Sequence, residues 1–401
     1  MPGVTAPLIV AILCLAEVCT MVGVSTWPAL LPGLQAEWHI NNTVAGTISG
    51  AFFAGYMVAV PVLVSLTDRW PARYVYGGSC VVLTAGSLAL ARADAPPLAM
   101  AGQALLGAGL AGTYMPGLKE LSDRITGRRQ ARAIAFYTST YGIGTSVSLY
   151  LAGAIASRAG WRVACAAAAA GPPVAAALML LLPRPRASDN ATCPEPGRRI
   201  ATPPRFETVL ANSHVRTYVL GYTAHCCELF ALRSWIVAFF TFAASGARVA
   251  PSTSAALLNL LGPPASITGN EIASRGRLRI IATTMGVSGA LALSTGAAGM
   301  IGGVAVMATA ALYVLAIMAD SAALTAGLVE ATDPSARGTA MAVYSFFGFA
   351  GGLVGPVIFG ALLDLGGGTA RVTAWLLAFG GIACISLAAS ATLMRAARRS
   401  A

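Results

Sequence analysis

The sequence predicts an all-α membrane protein, and three observations carry that prediction. Of the 401 residues, 56% are hydrophobic and only 10% are charged, a composition typical of a chain surrounded by lipid. Apolar runs of roughly 20 residues, the length at which a helix crosses the hydrocarbon of a bilayer, recur along the whole chain. These runs are continuous, whereas the strands of a membrane barrel alternate polar and apolar residues, so a barrel is excluded.

Twelve transmembrane helices are predicted in order along the chain. Each is an apolar run bounded by polar residues, and its backbone must be helical because lipid offers no hydrogen-bond partner. Glycine at 44 positions and proline at 22 fit this reading, because membrane helices use glycine for close approach and tolerate proline. The predicted spans are residues 7–33, 44–66, 74–92, 97–118, 133–157, 162–183, 215–243, 252–273, 279–297, 301–327, 338–364 and 372–394.

Three of these spans are less regular than the others. Span one is interpreted as a membrane helix rather than a cleaved signal peptide, because no Lys or Arg precedes it and the long run contains Glu17. Span seven carries charged residues, among them Glu228 and Arg233, and span eight contains Pro263 and Pro264. Charge and proline make spans seven and eight the least certain of the twelve.

The distribution of positive charge predicts the orientation of the chain. With twelve spans both termini lie on one side, together with the loops that follow even-numbered spans. These loops and the C-terminal tail hold 20 of the 26 Lys and Arg residues, whereas the opposite loops hold 5. By the positive-inside rule the sequence predicts a multi-pass protein of the cytoplasmic (inner) membrane with both termini in the cytoplasm. The net charge of +11 follows loop position, so no nucleic-acid partner is expected.

The chain also shows signs of an internal duplication. The longest loop, residues 184–213, is rich in Pro and Arg and divides the spans six and six. A shift of about 205 residues, a repeat within the range of duplicated transporter halves, places RAIA at 132–135 on RGTA at 337–340. We therefore predict two pseudo-symmetric six-helix bundles, residues 1–183 and 214–401, joined by a cytoplasmic linker at 184–213. Such repeats are typical of secondary transporters.

The loop after span two carries a recognisable motif. Its sequence VSLTDRWPAR resembles the G-x-x-x-D-R-x-G-R-R motif of the major facilitator superfamily. Asp68, Arg69 and Arg73 match that motif, whereas Val64 and Pro71 replace its two glycines. Arg69 and Arg73 are also explained without any function beyond the positive charge expected of a cytoplasmic loop.

The equivalent loop of the second half carries a second degenerate copy. It reads GNEIASRGR, in which Gly276 and Arg277 match the motif and Ala273 stands in place of its aspartate. The resemblance covers the whole chain and implies two bundles around a central cavity that opens alternately to either side, lined by spans one, four, seven and ten. It also implies that Asp68 helps to latch the two bundles on the cytoplasmic side.

Span seven carries the strongest candidate for a functional site. An ionisable group near the bilayer centre costs about 2.5 kcal/mol or more, so it is kept facing protein or water. At 100° per residue, five side chains of this span fall within an arc of roughly 160°. They are Tyr222, His225, Glu228, Arg233 and Trp235.

Three further candidates lie in other spans that the resemblance places around the cavity. Glu17 lies in span one, Gln103 in span four and Asp320 in span ten. Because a carboxyl group in a poorly hydrated site can take up and release a proton as its neighbours move, Glu17, Glu228 and Asp320 are candidate proton carriers. His225 is a fourth, since histidine titrates near neutral pH.

The role of the arginine in span seven is left open by the sequence. Arg233 always carries its charge and needs a partner, so it is either the counter-ion of these acids or an anchor for a substrate carboxylate. Purely structural roles are the alternatives. Glu228 and Arg233 could form a permanent ion pair. Glu17 could hydrogen-bond a neighbouring helix, and Asp320 could contact cytoplasmic water. Gln103 fits ordinary packing.

A secondary transporter for a small organic solute is the predicted function, with proton coupling by symport or efflux antiport. An uncoupled facilitator and a transporter-like sensor or scaffold are the alternatives. An enzyme is not expected, because the chain has three His and no nucleophile elbow, and an ATP-binding loop is absent from the sequence. The run from His225 to Glu228 cannot converge on one metal ion. We expect no cofactor and a monomer in the lipid bilayer whose partners are the solute and protons.

Overall fold

The computed structural model describes residues 5–67, 69–125, 129–182, 206–243, 249–333 and 336–399. Within these ranges every regular element is a helix. The first half of the chain forms α1 (Ala6–Thr20), a 3-10 turn (Met21–Gly23), α2 (Thr26–Trp38), α3 (Asn42–Leu66), α4 (Ala72–Ala91), α5 (Pro96–Arg124), α6 (Gln130–Ala159), α7 (Trp161–Ala168) and α8 (Gly171–Leu181).

The second half of the chain forms eight helices. The short helix α9 falls inside the predicted linker, of which residues 184–205 lie outside the described part of the chain. The helices are α9 (Phe206–Ala211), α10 (Ser213–Ala243), α11 (Pro251–Asn259), α12 (Gly262–Ala273), α13 (Arg277–Ala298), α14 (Gly303–Glu330), α15 (Arg337–Leu365) and α16 (Val372–Arg399).

A helix, or a consecutive pair of helices, occupies each of the twelve predicted spans, which confirms the all-α membrane fold class. Among the described residues, nine of these segments are long and apolar enough to cross a membrane. The other three are α5, α6 and the α11–α12 pair, whose sequences are rich in Gly, Ser, Thr or Pro. The count of twelve therefore stays a prediction.

Three predicted spans are interrupted, which the apolar pattern did not predict. Span six divides into α7 and α8 just before Pro172, and span eight divides into α11 and α12 just before Pro263. Proline has no N–H and is accommodated in the first turn of a helix, where that group needs no partner. Span one is interrupted by the 3-10 turn between α1 and α2.

Glycines allow several helices to pack backbone to backbone. A Cβ at Gly107 of α5 would collide with the carbonyl oxygen of Phe52 on α3, and one at Gly55 of α3 would collide with that of Ala104 on α5. In the second half, Gly269 of α12 lies equally close to the backbone of α14. Close approach at small residues supplies packing contacts where lipid gives no hydrophobic drive for helices to associate.

The two halves of the chain meet towards one end of the helices. We call the end where α1 begins and α16 ends the terminal end, and the opposite one the far end. α2 and α11, the far-end portions of their spans, contact α10 and α6 of the other half, and α3 packs on α15. Among described ring contacts between the halves, the one nearest the terminal end joins Tyr56 and Phe349, with centroids 4.2 Å apart. The described contacts between the halves are therefore concentrated towards the far end.

Candidate functional site

A narrow cavity lies between the two halves, on the far-end side of their centre. It is narrow, since the centre of a water-sized sphere can occupy only about 50 Å³ of it. Helices α2, α3, α5 and α6 line it from the first half, and α10 and α11 line it from the second. The side chains that determine its chemistry are Phe53, Gln103, Tyr141, Phe230, Arg233 and Asn259.

Arg233 is the charged group of this cavity. Its guanidinium carbon lies 5.5 Å from the ring centre of Tyr141 and 5.9 Å from that of Phe230, within the range of cation–π attraction. No carboxylate of the described residues lies within 4 Å of it. The pair with Glu228 that the sequence allowed does not form, since five residues of helix place the two side chains about 140° apart.

Gln103 brings a second polar group to the same cavity from the other half of the chain. Its side chain is only 1% exposed, and its amide nitrogen Nε2 has no acceptor in the described structure. Asn259, on the opposite side, donates Nδ2 to the carbonyl of Ala255 at 3.0 Å. The cavity therefore receives the Arg233 guanidinium from one half and, from the other, the Gln103 amide, whose Nε2 has no acceptor in the described structure.

Glu17 lies outside this cavity, inside the first half. It is fully buried, and the Tyr137 hydroxyl lies 3.0 Å from its Oε2 and 3.0 Å from the carbonyl oxygen of Tyr114. A hydroxyl donates only one proton, so both bonds form together when a protonated Glu17 donates to Tyr137 and Tyr137 donates to Tyr114. The geometry thus provides a place for one exchangeable proton.

Glu228 lies inside the second half and also faces away from the cavity. Its Oε2 accepts a hydrogen bond from the Ser288 hydroxyl of α13 at 3.1 Å. The hydroxyls of Tyr313 on α14 and Ser386 on α16 lie near the same carboxyl group. Its buried surroundings are therefore hydroxyl groups, with no Lys or Arg of the described chain in ion-pair contact.

His225 and Asp320 form the third buried polar cluster. His225 Nδ1 lies 2.7 Å from Asp320 Oδ1, and each side chain is 2% exposed. The Tyr222 ring stacks on Tyr344 with centroids 3.8 Å apart and lies nearly parallel to the His225 ring at 5.9 Å. A carboxylate at Nδ1 fixes the orientation of the imidazole, so this cluster holds a histidine in a defined position.

Trp235 is placed in packing rather than at the cavity. It is fully buried, its Nε1 donates to the carbonyl of Pro356 at 3.0 Å, and its ring stacks on Phe359. Both partners belong to α15 of the same half. The helical face predicted for span seven therefore divides: Arg233 faces the cavity, whereas the others contact helices of their own half.

The residues of the loop motifs lie at the terminal end. Asp68 lies outside the described residues, Arg69 is exposed and Arg73 is half-buried. Gly276 directly precedes α13, and Arg277 holds Glu330 through two hydrogen bonds of 2.9 and 2.7 Å. The second motif thus ties α13 to the end of α14 within one half.

A polar contact between the halves at the far end was not predicted from the sequence. Asp364 Oδ1 accepts from the backbone N–H and the side-chain amide of Asn42, at 3.0 and 2.8 Å. Its Oδ2 accepts from the backbone N–H and the hydroxyl of Thr43, at 2.8 and 2.6 Å. The carboxylate therefore caps the first turn of α3 from the other half of the chain, where free N–H groups favour negative charge. We call these three residues the far-end clasp.

The comparisons with known proteins agree with this architecture. The sequence model described as Major Facilitator Superfamily matches residues 13–329, well over half of the chain. The chain belongs to the Major Facilitator Superfamily. As a member of this superfamily it is a multi-pass membrane transport protein that takes a small-molecule substrate, and not an enzyme.

Solved structures of superfamily transporters share the fold. A bacterial homologue of the human lysosomal transporter Spinster, inward-facing and unoccupied, is 14% identical with a TM-score of 0.77, over 98% of this chain and 95% of that one. A mutant of the nucleoside transporter NupG is 14% identical with a TM-score of 0.76, over 98% and 99% of the two chains. No curated protein matches the sequence. At these identities the likeness establishes the fold alone.

Proposed function

We propose that this superfamily member is a secondary transporter that moves a small organic solute by alternating access, coupled to protons by symport or efflux antiport. The observation that carries the proposal is the separation of its buried charges. Arg233 lies at the cavity between the halves, whereas Glu17, Glu228 and Asp320 lie inside one half or the other. Solute and protons therefore have different places to bind.

The proposed movement is a rocking of two bundles, residues 1–183 and 214–401, joined by the linker at 184–213. The described contacts between the halves lie towards the far end, so the terminal end is proposed to be the open one. The terminal end is assigned to the cytoplasm, because the loops there hold most of the positive charge. Both termini are then cytoplasmic, the protein lies in the inner membrane as a monomer, and this conformation faces inward.

The alternate state requires exchange of contacts between the two ends. As the far-end clasp opens, the terminal ends of the halves approach each other. The loop with Asp68, Arg69 and Arg73 then faces the equivalent loop with Gly276 and Arg277, which is the proposed latch of the outward-facing state. Each state has its own polar contacts between the halves, as expected of a two-state device.

Protons are proposed to bind at the buried carboxyl groups. Moving a proton on or off Glu17 changes which groups the Tyr137 hydroxyl can bond, and the same holds for Glu228 and its three neighbouring hydroxyls. His225 and Asp320 share a third position. Rearranged hydrogen bonds inside a half alter how its helices pack, which links proton binding to the rocking movement.

Flux measurements in vesicles test the proposal. Protein reconstituted in liposomes is given panels of labelled carboxylates, amines and amphiphilic drugs with an imposed pH gradient. We expect Glu228→Gln to reduce accumulation driven by the gradient at least tenfold, while exchange of solute persists in part. Glu37→Gln, at a carboxylate exposed at the far end, is the matched control and should behave as wild type.

Three results would contradict parts of the proposal. Equal accumulation by wild type and Glu228→Gln would remove this carboxyl from coupling. Flux that ignores the pH gradient in every variant would identify an uncoupled facilitator. Absence of flux for every solute would leave a transporter-like sensor or scaffold.

A further inference from the structure

We infer that the transported solute is a small organic anion, whose carboxylate binds between Arg233 and Gln103. This inference rests on the proposed function and adds the chemical class of the solute. It depends on two donor groups in one cavity, one from each half of the chain. The sequence alone left the charge of the solute open.

The charge of the cavity comes from the guanidinium of Arg233. A guanidinium remains protonated in proteins and presents five N–H donors in one plane. The groups that approach that of Arg233 are the rings of Tyr141 and Phe230, which satisfy neither its charge nor most of its donors. The acids of the described transmembrane interior are engaged elsewhere, Glu17 with Tyr137 and Glu228 with Ser288. A positive charge is therefore left for the solute to neutralise.

The side-chain amide of Gln103 adds a donor to this positive charge. Gln103 is almost completely buried, lines the same cavity, and has an Nε2 without an acceptor in the described structure. A buried donor without an acceptor is unfavourable, so an oxygen atom of the solute is the expected partner of this nitrogen. A carboxylate supplies two acceptor oxygens and one negative charge, which matches an Arg and an amide together. An ammonium ion offers donors only and would meet like charge.

The walls of the cavity indicate what the rest of the solute is like. The rings of Phe53 and Phe230 pack against each other across the two halves, with centroids 4.2 Å apart, and border the cavity. Most of the remaining exposed wall is apolar, with four Ser and Thr hydroxyl side chains among it. A monocarboxylate places its charge on the donors and its carbon chain on these rings, whereas the second charge of a dicarboxylate would meet no second cation among the lining residues.

The two donors belong to different halves of the chain, which links binding of the solute to movement of the halves. Gln103 belongs to α5 of the first half and Arg233 to α10 of the second. An anion held by both donors bridges the halves at the level where they meet. Binding of the solute then favours the conformation in which the two donors are close, as alternating access requires.

Ligand-induced stabilisation tests the inference on the full chain in detergent. The probes are propionate, propionamide and propylamine, which share a carbon skeleton and differ in charge, at constant ionic strength. We expect propionate alone to raise the unfolding temperature in a saturable manner. In Arg233→Gln its affinity should fall at least tenfold, and in Gln103→Leu severalfold, whereas Arg162→Gln, which removes an exposed arginine of the far end, should leave it unchanged.

The outcomes separate this inference from the proposed function. Stabilisation by propionamide or propylamine equal to that by propionate, or unchanged propionate affinity in Arg233→Gln, overturns the anion site. Should Arg233→Gln fail to fold, Gln103→Leu and Arg233→Lys decide, and unchanged affinity in both overturns it. Amine uptake into vesicles that does not depend on Arg233 overturns the site and leaves transport standing. Propionate binding that depends on Arg233, in vesicles that move no solute, supports the site while transport fails.

Discussion

At the scale of single residues, helix geometry decides which polar groups meet. Glu228 and Arg233 are five residues apart on α10, so their side chains leave the helix in directions about 140° apart. One contacts Ser288 inside its own half, and the other faces Tyr141 across the cavity. Spacing that looked like one polar face in the sequence serves two different environments.

The same scale shows what the sequence can and cannot predict about the site. Isolated charges in apolar runs identified Glu17, His225, Arg233 and Asp320 as candidates, because lipid excludes such groups. Their partners, such as Tyr137 on a helix 120 residues away, follow from packing between helices that a single sequence does not encode in its spacing. Hence the proposed roles of these candidates stay predictions, although their neighbours are now defined.

The buried pair of His225 and Asp320 gives a prediction about stability. Asp320→Ala removes the carboxylate that lies 2.7 Å from the buried imidazole of His225, so the free energy of unfolding should fall by about 1–3 kcal/mol. Denaturant titration of the purified protein in micelles measures this change. Asp123→Ala removes an exposed carboxylate that pairs with Lys119 at 3.1 Å, and such pairs contribute about 0–1 kcal/mol.

A comparison of the two variants shows whether a buried charged pair contributes more to the free energy of unfolding than an exposed one. Similar losses in both would show that the His225–Asp320 contact has no special value. A double variant that also removes the imidazole, compared with both single variants, isolates the interaction itself.

At the scale of helices, apolar length predicted where each element lies but not where it breaks. The interruptions before Pro172 and Pro263 were not predicted, because proline is tolerated within membrane helices and its presence alone does not identify a break. Three predicted spans, α5, α6 and α11–α12, are not among the nine segments long and apolar enough to cross a membrane. Each contributes a polar side chain to the cavity, Gln103 from α5, Tyr141 from α6 and Asn259 from α11, so polarity is concentrated where the halves face each other.

Close packing of α3 on α5 gives a prediction at this scale. Gly107→Ala places a methyl group against the carbonyl of Phe52, and overpacking of this kind costs about 1–3 kcal/mol. We expect a lower unfolding temperature and a lower yield of folded protein. Gly78→Ala is the matched control on α4, since nothing lies within 4 Å of the added Cβ, and it should be neutral or stabilising by up to about 1 kcal/mol. Equal behaviour of the two variants would contradict the close contact.

At the scale of the whole molecule, the halves are joined at the far end by few polar contacts. The far-end clasp places four hydrogen bonds on one carboxylate. Bonds to a charged acceptor contribute about 1.5–3 kcal/mol each to a folded arrangement. Since about 1.4 kcal/mol corresponds to a tenfold change in an equilibrium, the clasp has enough energy to set which end is closed.

Removal of the clasp should therefore shift the conformational equilibrium. In Asp364→Ala we expect the population open at the far end to rise at least about tenfold. A reporter cysteine in place of Ser49, which lines the cavity, is introduced into a background without the native cysteines. A membrane-impermeant maleimide applied from the far-end side then labels the reporter faster.

The matched control for the clasp is Glu37→Gln. Glu37 also carries polar contacts at the far end, to Trp161 at 2.7 Å and Arg162 at 3.3 Å, but all three residues belong to the first half. Its loss should leave labelling of the reporter unchanged. Equal labelling in Asp364→Ala and wild type would mean that apolar contacts alone keep the far end closed.

The unneutralised guanidinium of Arg233 has an electrical consequence for a full transport cycle. An empty protein that changes state carries a bare positive charge through part of the membrane voltage, whereas one loaded with an anion moves a neutral pair. A voltage of 100 mV acts on a charge that crosses the whole field with about 2.3 kcal/mol. In the proposed cycle the resting potential would therefore act on Arg233 in the empty carrier, and in the loaded carrier only on the protons coupled to the solute.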